Sequence, residues 1–166
     1  MVSSIQKWRF QLDIVSNKLC HIFCVWWDQC AVVHFELLKP GKTINIYRNR
    51  QQIIHLNNAL IEKQLEWAQR HGKVILQHDI ALSHTAKLVK DTLKEFNWEI
   101  LPHPPYSPDF VPSDYHLFAS MGHSLAEKHF VNFEEVVKRL IEWFALKEKK
   151  IFWDGIHKLP ERWAKF

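Results

Sequence analysis

The residues best suited to chemistry are two aspartates set at the ends of contrasting segments. Asp79 closes "VILQHD" (74–79), a short apolar run that turns polar at its end. Asp114 lies in "HPPYSPDFVPSDYHLF" (103–118), where Pro104, Pro105, Pro108 and Pro112 fix much of the backbone and remove amide donors. Neither a helix nor a central strand can run through that segment. Ser113 is placed to cap the helix that follows, which puts Asp114 at the first helical position, where a carboxylate faces the partly positive helix end. If the two segments meet, the carboxylates suit a hard divalent cation such as Mg²⁺, which takes oxygen ligands and leaves the rest of its shell to water or phosphate oxygens. Two such ions about 4 Å apart would activate an attacking oxygen and stabilise a leaving one, which is phosphodiester chemistry. Aspartates at strand ends and helix starts also serve as caps and turn residues, and spacing alone does not choose between these roles.

The elements that must position the pair are readable from hydrophobic patterning. "HIFCVWW" (21–27) and "AVVHFELL" (31–38) are rich in β-branched and aromatic residues and are separated by Asp28, Gln29 and Cys30, which predicts a hairpin with a turn that lacks glycine. Ile53, Leu56, Leu60 and Ile61 recur at helical spacing and predict an amphipathic helix over about 46–69, ended by "RHGK". The strand 74–79 is followed by a helix with Ala86, Val89, Leu93 and Phe96 on one face and Ser83 as its N-cap, then by a short strand "WEIL" (98–101). A last helix begins at Asn132 with Glu135 three residues on, a capping-box arrangement, and buries Phe133, Val136, Val137, Leu140 and Phe144. Paired strands followed by alternating helix and strand predict an α/β fold, a mixed sheet flanked by helices. Ligands of such sheets gather where strands end; Asp79 is the last residue of one predicted strand, and Asp114 follows the end of the next.

At 166 residues and 47% hydrophobic, the chain can bury one ordinary core. No run approaches the roughly 18–20 apolar residues that span a bilayer, and "MVSSIQKWRFQLD" carries charges where a signal peptide needs an apolar stretch, so the expected partners exclude a membrane and the expected compartment is intracellular. Cys20, Cys24 and Cys30 are odd in number and sit in strand-like surroundings, which favours buried apolar thiols over disulfides or zinc. A net charge of +4 with scattered basic residues allows a polyanionic partner without establishing one; "KEKK" (147–150) reads as a solvated helix end. His78, His84, His103 and His116 flank the two acidic segments and read as structural hydrogen-bonders. Trp26, Trp27, Trp98, Trp143, Trp153 and Trp163 read as core.

"WWDQCAVVHFELLKPGKTIN", "VILQHDIALSHTAKLVKDTL", "NWEILPHPPYSPDFVPSDYHLFASMGHSLAEKHF" and "GIHKLPERWAKF" resemble, in order and spacing, the catalytic domain of mariner-type transposases, a domain also found fused to a SET methyltransferase. The resemblance covers residues 18–166. It implies a ribonuclease H-like fold and metal-dependent cleavage and transfer of DNA strands, using three aspartates with Mg²⁺ or Mn²⁺. Asp79 falls on the second catalytic aspartate, in a pattern read here as "HDIA", and Asp114 on the third, in "PSDYHLF"; the 34 residues between them match the mariner spacing. Both are thereby implied as catalytic residues and metal ligands. DNA is implied as partner, with a homodimer as a further expectation, and the nucleus as compartment.

The chain departs from the family at one place above all. The first catalytic aspartate sits in a "TGDEKW" pattern that is missing here; the nearest echo, "VSSIQKWRF" (2–10), puts Ile5 at the aspartate position, and isoleucine cannot hold Mg²⁺. Asp13 is a stand-in only if the neighbouring loop is rebuilt, and Asp28 reads as a turn residue. Ile80 and Leu82 replace the family's usual residues after the second aspartate, and its helix-turn-helix modules, which would read DNA ends, are not visible. The expectation is a divergent N-terminal segment (1–17), a partial ribonuclease H-like catalytic domain (18–166) with a missing or altered first strand, and impaired catalysis. The alternative is a non-catalytic remnant or a co-opted DNA-binding module.

Overall fold

A computed structural model describes residues 3–14, 19–63, 74–77, 86–101, 113–126 and 128–164. Its strands are β1 (Ser3–Ile14), β2 (Leu19–Trp27), β3 (Val32–Leu38), β4 (Val74–Gln77) and β5 (Glu99–Leu101). They form one sheet in the order β3-β2-β1-β4-β5, with β1–β2 and β2–β3 antiparallel and β1–β4 and β4–β5 parallel. The helices are α1 (Ile46–Lys63), α2 (Lys87–Glu95), a π-helix (Ser113–Phe118) running into α3 (Ala119–Ala126), α4 (Phe133–Ala145), α5 (Lys149–His157) and α6 (Leu159–Trp163).

The first strand is present, and it is the central one. Residues 8, 10 and 12 are apolar and alternate with Arg9, Gln11 and Asp13, a strand pattern, and they are the Cα partners of Val25, Phe23 and His21. What is altered is its chemistry, as the resemblance led one to expect: Ile5, the residue set at the family's aspartate position, and Gln6 lie near its start.

Alternation along β2 divides the core between the two faces of the sheet. Phe23, Val25 and Trp27 pack with Leu117 and Phe118 of the π-helix, Met121, Val136, Leu140, Trp143 and Phe152 on one face. Cys24 and Trp26 pack with Ile53, Leu56, Leu60, Leu76, Val89 and Leu93 on the other. Helix α1 is further tied to β3 by Glu36, whose carboxylate accepts from Arg48 at 2.6 Å and also from Gln52.

The predicted hairpin forms without glycine because Asp28 closes its turn. The Asp28 carboxylate accepts from the amides of Cys30 (2.8 Å) and Ala31 (2.9 Å), and its own amide donates to the Ala31 carbonyl at 3.0 Å. Helix α1 begins at the predicted Ile46 and is described to Lys63, while residues 64–69 and the proposed cap Ser83 lie outside the described residues. Asn97, at φ 56°, terminates the α2 turn in the left-handed conformation, with the Trp98 amide donating back to the Leu93 carbonyl. At α4, Asn132 accepts from the Glu135 amide at 2.9 Å, and the Glu135 carboxylate accepts from the Val131 amide, one residue beyond the N-cap amide of the reciprocal bond expected. Two tryptophans depart from the core reading: Trp153 is 43% and Trp163 39% exposed. Of the cysteines, Cys24 is buried as expected but Cys30 is exposed, next to the turn.

Candidate functional site

In a sheet of this order the chain leaves β1 toward β2 on one side and returns on the other as β4, so the switch in direction falls between β1 and β4, where open α/β sheets bind ligands. The two strands pair from Ser3–Val74 to Gln6–Gln77, after which β1 continues to Ile14 beside β2. Asp79 follows Gln77 by two residues and lies outside the described residues. His78, His84 and His103 also lie outside them.

Asp114 is the second residue of the π-helix, and its side chain lies outside the described atoms. A π-helical turn is uncommon and concentrates at functional sites, where it re-aims side chains. This one lies against β1 and is anchored by Leu117 and Phe118, both buried, with Phe118 edge-on to Phe23 at 6.4 Å. On its other side is α5. A methyl group at Gly155 would stand 2.9 Å from Trp27 Cη2 and 3.0 Å from His116 Cδ2, so only glycine lets α5 close onto the π-helix here. Burial pushes the His116 imidazole below its ordinary value, against a hydrogen bond to the Ile151 backbone, with nearby Lys158 lowering it further and Asp154 opposing. The neutral ring suits an apolar seat between two helices.

Other nominated residues separate cleanly. Ile5, which the motif resemblance sets at the first aspartate's position, is the Cα partner of Leu76 in β4. Asp13 pairs with Cys20 at the hairpin end of β1, roughly 20 Å along the strand from Gln6, too far to share an ion with a group near the end of β4. Asp28 is 3% exposed and committed to the turn. Among the described residues no cluster of three His, Cys, Asp or Glu could hold a metal, and no helix is long and apolar enough to cross a membrane.

Gln77 escaped the sequence reading. It is 3% exposed, and among the described residues neither its Oε1 nor its Nε2 has a hydrogen-bond partner. The available signal was an amide interrupting the apolar run "VIL". A buried, unsatisfied amide beside the strand end that leads to Asp79 suits a site built around an oxygen-seeking ion.

A five-stranded mixed sheet in this order with helices on both faces is the ribonuclease H-like architecture of the DDE nucleases and transposases. Residues 11–70 match the family described as Transposase (partial DDE domain). The mariner Mos1 transposase of Drosophila mauritiana is 58% identical over 144 residues, covering 87% of this chain and 42% of that protein. The human histone-lysine N-methyltransferase SETMAR is 35% identical over 141 residues, covering 85% and 20% respectively. The solved Mos1 catalytic domain with raltegravir and Mn superimposes with a TM-score of 0.92 at 53% identity, over 98% of this chain and 80% of that one. The Mos1 paired-end complex with Mn gives a TM-score of 0.91 at 46% identity, over 98% and 54%. The chain belongs to the mariner transposase family, and the part of that family it carries is the catalytic domain. It spans less than half the length of the Mos1 transposase.

Proposed function

We propose that the chain is a mariner-type transposase catalytic domain with impaired DNA strand cleavage and transfer, in which Asp79 and Asp114 hold Mg²⁺ or Mn²⁺. The observation that carries this reading is that β4 and the π-helix, the elements that lead to Asp79 and bear Asp114, both lie against the sheet's central strand, β4 pairing with its N-terminal half at the switch point. When bound, the ion supplies an activated oxygen nucleophile and charge neutralisation at the phosphate. The chain's own residues do the placing. The Leu117 and Phe118 side chains fix the π-helix against the sheet, and Asp114 is the second residue of that helix. With Ile5 where a carboxylate is needed, metal affinity and the placement of a second ion both fall. DNA is the proposed substrate and the nucleus the proposed compartment. Pairing with a second copy is proposed alongside; the paired-end complex of the Mos1 relative supports DNA as the partner.

A second reading, a non-catalytic DNA-binding or interaction module, is favoured by the loss of one carboxylate beside a well-packed core. Plasmid nicking with Mn²⁺ separates the two. The natural chain is expected near background. Ile5→Asp follows the motif, and Gln6→Asp follows the register that pairs residue 6 with Gln77. One of them should raise nicking in a manner abolished by adding Asp79→Ala. Strong nicking by the natural chain that Asp79→Ala removes would overturn the impairment. If the Ile5→Asp and Gln6→Asp variants both fold and bind DNA but never nick, the binding module is favoured.

A further inference from the structure

We infer that the side-chain amide of Gln77 supplies an oxygen ligand to the divalent cation, partly replacing the carboxylate that β1 no longer provides. The inference rests on the reading that Asp79 and Asp114 hold that ion. Gln77 is only 3% exposed, with both polar atoms unsatisfied among the described residues. Leaving a buried amide without partners costs on the order of 1–3 kcal/mol for each group, a penalty that leucine or valine, already the habit of this strand, would avoid. The placement points to what satisfies it. Leu76 belongs to the core beneath α1 and α2, so strand alternation puts Gln77 on the opposite face, the face that carries the π-helix. Its Cα partner Gln6 is also the Cα partner of Trp27, and Trp27 meets the same point of α5 as His116, two residues beyond Asp114. Gln77 is therefore the last residue of the strand leading to Asp79, on the face of the sheet that carries the helix bearing Asp114.

The chemistry of the group agrees. Mg²⁺ and Mn²⁺ accept amide carbonyl oxygens alongside carboxylates, so Oε1 can ligate without adding charge. A neutral ligand in place of a carboxylate leaves the ion more positive and more loosely held, in keeping with an impaired site.

Mn²⁺ binding to the full chain, followed by the loss of the free-ion paramagnetic resonance signal, tests the inference without reference to activity. Gln77→Leu is nearly isosteric and is expected to weaken Mn²⁺ binding at least about tenfold while raising thermal stability, because it removes the unsatisfied amide. Gln77→Glu is expected to tighten binding by a similar factor. Asp114→Asn serves as the check on the underlying reading. If it weakens binding while both Gln77 variants leave affinity unchanged, Gln77 is not a ligand although the aspartate site stands. If Asp114→Asn also leaves affinity unchanged, or the natural chain binds no Mn²⁺, the aspartate reading fails and the inference with it.

Discussion

Asp28, Asp79 and Asp114 share a side chain and a position next to a strand or helix end, yet the structure uses Asp28 up locally. Its carboxylate satisfies two backbone amides at the hairpin turn and is almost fully buried. Removing an acceptor of this kind costs about 1–2 kcal/mol, as for a helix cap, with more if the freed amides stay dry. Asp28→Ala should therefore lower the unfolding free energy of the chain by that much while leaving Mn²⁺ affinity unchanged. A loss of Mn²⁺ binding in a folded Asp28→Ala chain would instead place this aspartate in the metal site. The sequence nominates Asp79 and Asp114 through the motifs "HDIA" and "PSDYHLF", and they stand as proposed ligands. Gln77 was not legible there, because a single amide in a strand carries no periodic signal and its meaning appears only when its partners are sought in space.

At the scale of elements, the π-helix depends on its neighbour α5 as much as on the sheet. Gly155 is the contact, and the two rings it meets belong to Trp27, which is fully buried, and to His116, which is seated by a backbone bond. Alanine at this position gains about 1 kcal/mol in helix propensity, but overpacking against rigid aromatic rings costs about 1–3 kcal/mol, so the balance is unfavourable. Gly155→Ala should destabilise the fold modestly and, by pushing the π-helix, weaken Mn²⁺ binding. Gly122→Ala in α3, where a methyl group meets nothing within 4 Å, should do neither. Equal effects from the two substitutions would show that the α5 contact is not what holds the Asp114 helix. The sequence named "GIHKLPERW" as a family motif without showing why its glycine matters, because a close approach between helices whose contacting residues, His116 and Gly155, are 39 positions apart leaves no local pattern. The α4 helix was legible to its capping residue, since a cap and an apolar stripe are local. The exposed Trp153 and Trp163 were misread as core because residue type says nothing about which side of a short terminal helix meets the sheet.

The whole molecule is organised around β1, the strand whose alternating pattern was present in the sequence but overshadowed by the missing aspartate. In the order β3-β2-β1-β4-β5 it alone joins the antiparallel half of the sheet to the parallel half, so both cores are built on elements it holds in register. Without it, β2 and β4 would each expose an unpaired edge, and the apolar row at Phe23, Val25 and Trp27 would face an interrupted sheet. A chain restricted to residues 18–166 keeps all three proposed metal ligands and almost all of the family motifs. It should nonetheless lack a sigmoidal urea transition and aggregate, whereas the full chain unfolds cooperatively. Adding a separate peptide of residues 1–17 should restore part of the ordered signal by supplying the central strand in trans. A fragment of 18–166 that unfolds as sharply as the full chain would show that the catalytic scaffold stands without its first strand. If the fragment fails, the fold requires the backbone of this strand, whatever side chain stands at residue 5 or 6.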